Sequence, residues 1–161
     1  MLRVSTFGTL LSSLRGTMTS DLATYADRIN LAWNSHDMQK VLSFYSPEYV
    51  GEDVAQASLL RGVEGLRGLL TKYWRAFPDL QFAVTDTLIQ EARLTVVWVA
   101  QGTHQGPILN IPPTGHRVEV KGVSVMDVQQ GLVVRGQYIW DLAGMLRHLG
   151  LLPDLQSAER T

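Results

Sequence analysis

The chain has 161 residues, of which 45% are hydrophobic and 18% charged, and its net charge at pH 7 is −1. This profile is that of an ordinary globular domain, without the lysine and arginine clusters that bind nucleic acid or an apolar run near the ~20 residues that span a bilayer. Cysteine is absent, which excludes disulfides, thiolate metal sites and cysteine nucleophiles. We therefore expect no nucleic-acid partner, no membrane partner and a cytoplasmic location.

The first residues differ in composition from the rest. Met1 to Thr17 contains Arg3 and Arg15 but no acidic residue. We interpret residues 1–18 as disordered or as an upstream extension; a transit-like or signal-like stretch is the alternative. A single domain is predicted over residues 19–154, with a flexible tail over residues 155–161.

Three helices are predicted first. Apolar residues recur at steps of three and four, Pro78 stops the third helix, and capping side chains precede the first two. The helices run from Ser20 or Asp21 to about Ser35, from Asp37 into the residues around Leu42, and from Val63 to Phe77.

Four strands follow, each rich in β-branched residues. They are predicted at Leu80–Gln90, Leu94–His104, Arg117–Val128 and Leu132–Asp141. Gln129-Gln130-Gly131 is predicted to form a hairpin turn, and Gly106 to Gly115 a turn-rich loop. A short amphipathic helix ends the chain. This order predicts an α+β fold: a cone-shaped, curved, antiparallel or mixed sheet with the three N-terminal helices on its concave face. A pocket between the layers is the expected ligand site.

Four segments in this order resemble one family. They are Trp33-Asn34-Ser35-His36-Asp37, Ala76-Phe77-Pro78-Asp79-Leu80, the pair Gly102–Gly106 and Ile111–Gly115, and Trp140-Asp141 followed by Leu146–Gly150. Together they resemble the SnoaL-like polyketide cyclases, also called ester cyclases, of the nuclear-transport-factor-2-like superfamily. The resemblance covers roughly Asp21 to Pro153.

The resemblance implies a cyclase that closes a polyketide ring by intramolecular aldol condensation without metal or cofactor. An aspartate near the end of the last strand serves as acid/base in such proteins, and Asp141 matches that position. The chain departs from the family pattern at Arg135 and Gln137, where relatives often have an acid and an aromatic residue. It also lacks the histidine that many relatives carry around Gly51-Glu52-Asp53.

Asp141 has two interpretations. Shielded by Tyr138, Ile139 and Trp140, it would have a raised pKa and act as general acid/base. As a plain cap of the last helix it would accept backbone N–H bonds, which lower the pKa of a carboxyl group. Both roles can coexist.

Other candidates surround the expected pocket. His104 ends a strand on the apolar face and is either a core residue or a donor to a substrate carbonyl. The candidate ligand-binding residues are Trp33, Asn34, Glu52, Tyr73, Trp74, Trp98, Gln137 and Trp140; core packing, helix capping or surface exposure are the alternatives. No histidine pair has metal-ligand spacing, so no metal site is predicted. That no cofactor takes part is what the resemblance implies.

Three functions remain open at this point. The first is a cofactor-free cyclase or isomerase acting on a polyketide-like or other apolar carbonyl compound, with Asp141 as acid/base. The second is a binding protein for apolar small molecules without chemistry. The third is an epoxide hydrolase that uses Arg135 beside Asp141 and Asp127. Valines on both faces of the central strands, among them Val97 and Val123, predict a homodimer through the sheet.

Overall fold

The computed structural model describes residues 21–155. The extension predicted over residues 1–18 lies outside this range, as do Ser20, one of the two proposed starts of the first helix, and all of the predicted tail except Leu155. Among the described residues no helix is both long and apolar enough to cross a membrane.

The predicted helices and the four predicted strands are present, but two further strands lie between the second and third helices. In chain order the elements are α1 (residues 21–34), α2 (Met38–Leu42), β1 (Tyr45–Asp53), β2 (Leu60–Arg61), α3 (Gly62–Ala76), β3 (Gln81–Gln90), β4 (Arg93–Thr103), β5 (Arg117–Gln129), β6 (Leu132–Trp140) and α4 (Leu142–His148). The nine-residue β1 and the two-residue β2 are not among the strands predicted from the sequence.

All six strands form one sheet in the order β2-β1-β6-β5-β4-β3. The pairs are antiparallel except β1 with β6, which run parallel. This is the predicted α+β class: an open, curved, mixed sheet with helices packed on one side. Two residues connect β3 to β4 and β5 to β6, whereas residues 104–116 connect β4 to β5. The turn predicted at Gln129-Gln130-Gly131 joins β5 to β6, with positive φ at Gln130 and Gly131.

The core lies between α1, α3 and the inner face of the sheet. Alternate residues of β4 are buried, from Leu94 through Val96, Trp98 and Ala100. On α3 the side chains of Leu66, Leu69 and Leu70 are fully or almost fully buried against β1 and β2. The spacing of three and four along α3 directs these leucines to the sheet, which is the amphipathic pattern read from the sequence.

Candidate functional site

A cavity lies between the helices and the inner face of the sheet, and its walls are mainly apolar and aromatic. Its volume is about 110 Å³. Of the predicted ligand-binding residues, Trp33, Tyr73, Trp98 and Trp140 line it. Few of the lining residues carry polar side-chain groups, among them Asn30, Tyr45, Asp53, Gln101, Ser124 and Tyr138.

Trp98 fills one side of this cavity because the neighbouring strand has no side chain at Gly122. A Cβ atom there would collide with the indole ring of Trp98. The indole Nε1–H donates to the Ser124 hydroxyl at 2.9 Å, which satisfies a polar group that would otherwise be buried without a partner.

The acidic group inside the cavity is Asp53, at the end of β1. Alternation along β1 turns Tyr49, Gly51 and Asp53 to the inner face, and Asp53 is only 6% exposed. Glu52 is one of the predicted ligand-binding residues, and surface exposure is its other interpretation. Glu52 is exposed and Asp53 is the inward residue, because successive side chains of a strand point to opposite faces.

The two oxygens of Asp53 differ in their contacts. Oδ1 accepts hydrogen bonds from the Ala55 N–H and the Tyr73 hydroxyl, both at 2.8 Å, and from Trp140 Nε1–H at 3.4 Å. Oδ2 has only the long contact with Trp140 Nε1, at 3.4 Å. Oδ2 is therefore the oxygen with capacity left to take up or release a proton.

Burial raises the pKa of Asp53 above its ordinary value. The hydrogen bonds from Ala55, Tyr73 and Trp140 act in the opposite direction but do not cancel the effect of burial. Such a carboxyl group is a stronger base than an exposed one, and it is the kind of group that active sites use for proton transfer.

Three tyrosines form a hydrogen-bonded cluster beside Asp53. The Tyr49 hydroxyl donates to the Tyr138 oxygen at 3.0 Å, the hydroxyls of Tyr45 and Tyr138 lie 3.2 Å apart, and Trp33 Nε1–H donates to the Tyr45 oxygen at 3.2 Å. All three phenols are buried, and burial raises the pKa of each one.

Glycine makes room for these hydroxyls. Gly51 and Gly136 are partners across the parallel pair of β1 and β6. A Cβ atom on either residue would meet the Tyr49 hydroxyl, and one on Gly136 would also crowd that of Tyr138. Two glycines in register therefore allow the tyrosine cluster to lie against the sheet.

The structure places Asp141 outside the cavity, without the shielding by Tyr138, Ile139 and Trp140 that its acid/base interpretation requires. Asp141 is exposed and caps α4, with its carboxylate accepting the Gly144 N–H at 2.7 Å. The strand alternates up to Trp140, which faces inward, and the chain then turns into the helix. The cap interpretation describes its position.

His104 is fully buried on the predicted face but does not line the cavity. Its Nδ1 accepts the Thr114 N–H at 3.2 Å and lies 3.1 Å from the Thr114 hydroxyl, and its ring packs against Phe77. Burial lowers the pKa of His104. These contacts hold the loop between β4 and β5, so the alternative of a core residue fits the position better than that of a substrate donor.

Four predicted ligand-binding residues lie away from the cavity wall. Asn34 joins α1 to β3 through both the N–H and the carbonyl of Phe82 at 2.8 Å. Trp74 stacks on the His36 ring, with centroids 5.0 Å apart. Glu52 and Gln137, partners across β1 and β6, line a second hollow of about 330 Å³ that shares Asp53 and Tyr138 with the cavity.

The cluster considered for epoxide hydrolysis is not assembled at the cavity. Asp127 is bound by Arg93, with Nε and Oδ1 2.7 Å apart, and Arg135 is exposed. Neither Arg135, Asp127 nor Asp141 lines the cavity. Within residues 21–155, no three histidine or acidic side chains form a group that could hold a metal ion.

A family model described as SnoaL-like polyketide cyclase matches residues 23–149 of this chain. The chain belongs to the SnoaL-like polyketide cyclase family. No curated protein matches its sequence.

Solved structures share the fold of this family member. AclR from Streptomyces galilaeus, a proposed hydroxylase, is 26% identical with a TM-score of 0.75, and the match covers 85% of each chain. IdmH from Streptomyces antibioticus, a proposed polyketide cyclase, is 26% identical with a TM-score of 0.70, covering 80% of this chain and 97% of that one. A Catenulispora acidiphila protein with a ketosteroid isomerase-like fold, solved with trimethylamine, is 14% identical with a TM-score of 0.69, covering 83% and 97%.

Proposed function

We propose that this family member is an enzyme that removes a proton from the carbon next to a carbonyl group, in a cyclisation or isomerisation of an apolar substrate. The observation that carries the proposal is Asp53: a buried carboxyl group with a raised pKa and no cation partner, on the wall of an aromatic cavity. No cation partner of Asp53 is found among the residues that the structure describes.

The step needs one carboxylate. Oδ2 of Asp53 takes the proton, so that a C–H bond breaks, an O–H bond forms and the electron pair moves to the carbonyl oxygen as an enolate. For ring closure the enolate carbon attacks a second carbonyl, and the new alkoxide takes the proton back from Asp53. For isomerisation the proton returns to another carbon. Neither route consumes a cofactor.

The cavity limits what can enter. Its volume of about 110 Å³ is below the several hundred Å³ typical of sites for drug-sized ligands. A substrate with several rings requires the aromatic wall to move, whereas a ligand of one ring needs little change. The small volume also favours the second candidate, a binding protein for small apolar molecules that performs no chemistry.

One experiment separates these functions. Phenylacetone has a single ring and acidic benzylic protons, and their exchange in D2O is followed by proton NMR. We expect the wild-type protein to accelerate exchange, Asp53→Asn to reduce it to the uncatalysed rate, and Asp141→Asn to leave it unchanged, with circular dichroism reporting the fold of each variant. Loss in Asp141→Asn alone would return the acid/base role to Asp141. Binding without exchange in the wild type would support the binding protein.

We also propose a homodimer formed through the outer face of the sheet. Val97, Val123 and Ile139 are register neighbours across β4, β5 and β6, and Ile139 is 54% exposed. Light scattering after size exclusion should give twice the chain mass for the wild type and the chain mass for Ile139→Asp; a monomeric wild type would overturn this. The cytoplasmic location stays a prediction.

A further inference from the structure

The tyrosine cluster, together with the indole N–H of Trp33, has more donor protons than it makes hydrogen bonds. Four protons are available, one each from Trp33 Nε1 and the hydroxyls of Tyr45, Tyr49 and Tyr138. The cluster makes three hydrogen bonds: Trp33 to Tyr45, Tyr49 to Tyr138, and one between Tyr45 and Tyr138. One proton is therefore left over.

The direction of the bond between Tyr45 and Tyr138 decides which residue keeps that proton. If Tyr45 donates, the proton of Tyr138 is free; if Tyr138 donates, the proton of Tyr45 is free. Both residues line the cavity, and among the described residues neither hydroxyl donates to another acceptor. In either arrangement one residue of the cavity wall has a phenolic donor without a protein partner, and an unmet buried polar group is costly.

We propose that this spare phenolic proton is the binding site for the carbonyl oxygen of the substrate, so that the cavity selects ketones and their enolates. The inference rests on the proposed function, because it supplies the oxyanion donor that proton removal by Asp53 requires. Because this donor has no cation beside it, it favours a neutral acceptor such as a carbonyl oxygen. A ligand carboxylate would be repelled by the Asp53 carboxylate.

The placement of the two groups suits one carbonyl and its neighbouring carbon. The Tyr138 hydroxyl lies beside Gly136, whose partner on β1 is Gly51, two residues before Asp53. Two residues of a strand span about 6.6 Å. A carbonyl oxygen bound to the phenol thus leaves the adjacent carbon within reach of the carboxyl group.

Acidity within the cluster agrees with this arrangement. Burial raises the pKa of Tyr45 to about 12, whereas the hydrogen bonds with Tyr138 and Trp33 limit the rise. Burial is also the main cause that raises the pKa of Tyr138 well above that of an ordinary tyrosine. Both phenols therefore keep their protons at neutral pH, and either one can act as a hydrogen-bond donor.

The count predicts an unusual mutational pattern. In Tyr45→Phe, Tyr138 still accepts from Tyr49 and its own proton is free. In Tyr138→Phe, Tyr45 still accepts from Trp33 and its own proton is free. Each single variant therefore keeps a phenolic donor at the wall. Trp33 also lines the cavity, and its Nε1–H loses its acceptor when Tyr45 becomes phenylalanine, so only the triple variant Trp33→Phe/Tyr45→Phe/Tyr138→Phe removes every cluster donor from the wall. Tyr49→Phe is the matched control, because Tyr49 does not line the cavity.

The test measures the carbonyl stretch of carbon-13-labelled phenylacetone bound to the protein by difference infrared spectroscopy. A donated hydrogen bond lowers this frequency. We expect a lowered frequency in the wild type, in both single variants and in Tyr49→Phe, and an apolar-solvent frequency in the triple variant, with binding weakened by up to about tenfold.

Three results would overturn the proposal: no binding of phenylacetone to the wild type, a wild-type frequency equal to that in an apolar solvent, or an unchanged frequency in the triple variant. Should the triple variant not fold, wild-type protein labelled with 3-fluorotyrosine replaces it. Its more acidic phenol must lower the frequency further, and no change refutes the donor.

Asp53→Asn separates this inference from the proposed function. It should keep the lowered carbonyl frequency while losing proton exchange. A lowered frequency without exchange in the wild type would leave the donor standing and remove the acid/base role. Proton exchange in a wild type whose carbonyl frequency equals that in an apolar solvent would leave the acid/base role of Asp53 standing and refute the phenolic donor.

Discussion

Replacing Tyr73 by phenylalanine removes one of the two short hydrogen bonds to the Asp53 carboxyl group without changing the shape of the ring. The Tyr73 hydroxyl donates to Oδ1 at 2.8 Å, and Asp53 is 6% exposed, so water does not compensate. A hydrogen bond to a charged acceptor contributes about 1.5–3 kcal/mol, and one to a neutral acceptor about 0.5–1.5 kcal/mol. The loss should therefore be larger when Asp53 is ionised.

The assay is urea unfolding of wild type and variant, followed by tryptophan fluorescence, at a pH above the folded pKa of Asp53 and at one below it. We expect the free energy of unfolding to fall by roughly 1.5–3 kcal/mol at the higher pH and by roughly half as much at the lower. Carboxyl-detected NMR should show the pKa of Asp53 rising further, because a donor to the ionised form is lost.

The matched control is Tyr25→Phe. The Tyr25 hydroxyl donates to the Phe44 carbonyl oxygen at 3.0 Å, a neutral acceptor that does not titrate. Its loss should cost about 0.5–1.5 kcal/mol at both pH values. Equal, pH-independent losses in the two variants, or a lower pKa of Asp53 in Tyr73→Phe, would refute the reasoning.

The other predictions concern single positions. Because burial raises the pKa of Asp53, the folded chain holds a proton on this group at pH values where the unfolded chain has lost it, and the free energy of unfolding falls as pH rises through the folded pKa. In urea unfolding, Asp53→Asn should therefore become more stable relative to the wild type as pH rises through this window. A wild type that becomes more stable relative to the variant would contradict the raised pKa. Asp141→Ala removes the cap of α4 and should lower the free energy of unfolding by about 0.5–2 kcal/mol without slowing proton exchange. Leu66→Ala, at a fully buried position, should cost about 2–5 kcal/mol in the same assay. Gly122→Ala should displace Trp98, seen as a change in near-ultraviolet circular dichroism, and an unchanged spectrum would show that the ring is not held there.

The sequence was sufficient for the elements that depend on local pattern. The face of α3, the alternation of β4 that buries His104, and the two-residue turn at Gln130 all follow from spacing and turn chemistry. These features need no knowledge of what the element packs against.

The candidate site depends on pairing that spacing does not reveal. Asp53 becomes an interior residue because β1 pairs in parallel with β6 and lies beneath Tyr73. Neither the strand pairing nor the contact with Tyr73 can be recognised from the sequence around Asp53. One clue was present: Tyr45, Tyr49, Gly51 and Asp53 recur at even steps, which predicts a shared face. Asp141 was overvalued because its neighbours in sequence are aromatic, although the chain turns there and carries it to the surface.

The parallel pair of β1 and β6 also sets when the site can exist. Asp53 and Trp140 touch across 87 positions of the chain, and Tyr138 is the register partner of Asp53. While the ribosome is still adding residues before Leu132, β1 has only the two-residue β2 beside it and presents an open edge. Contacts this distant in sequence form late and slowly. The carboxyl group and the phenols therefore meet only in a chain whose last strand has been made, and a product truncated before β6 would have neither a site nor a protected edge.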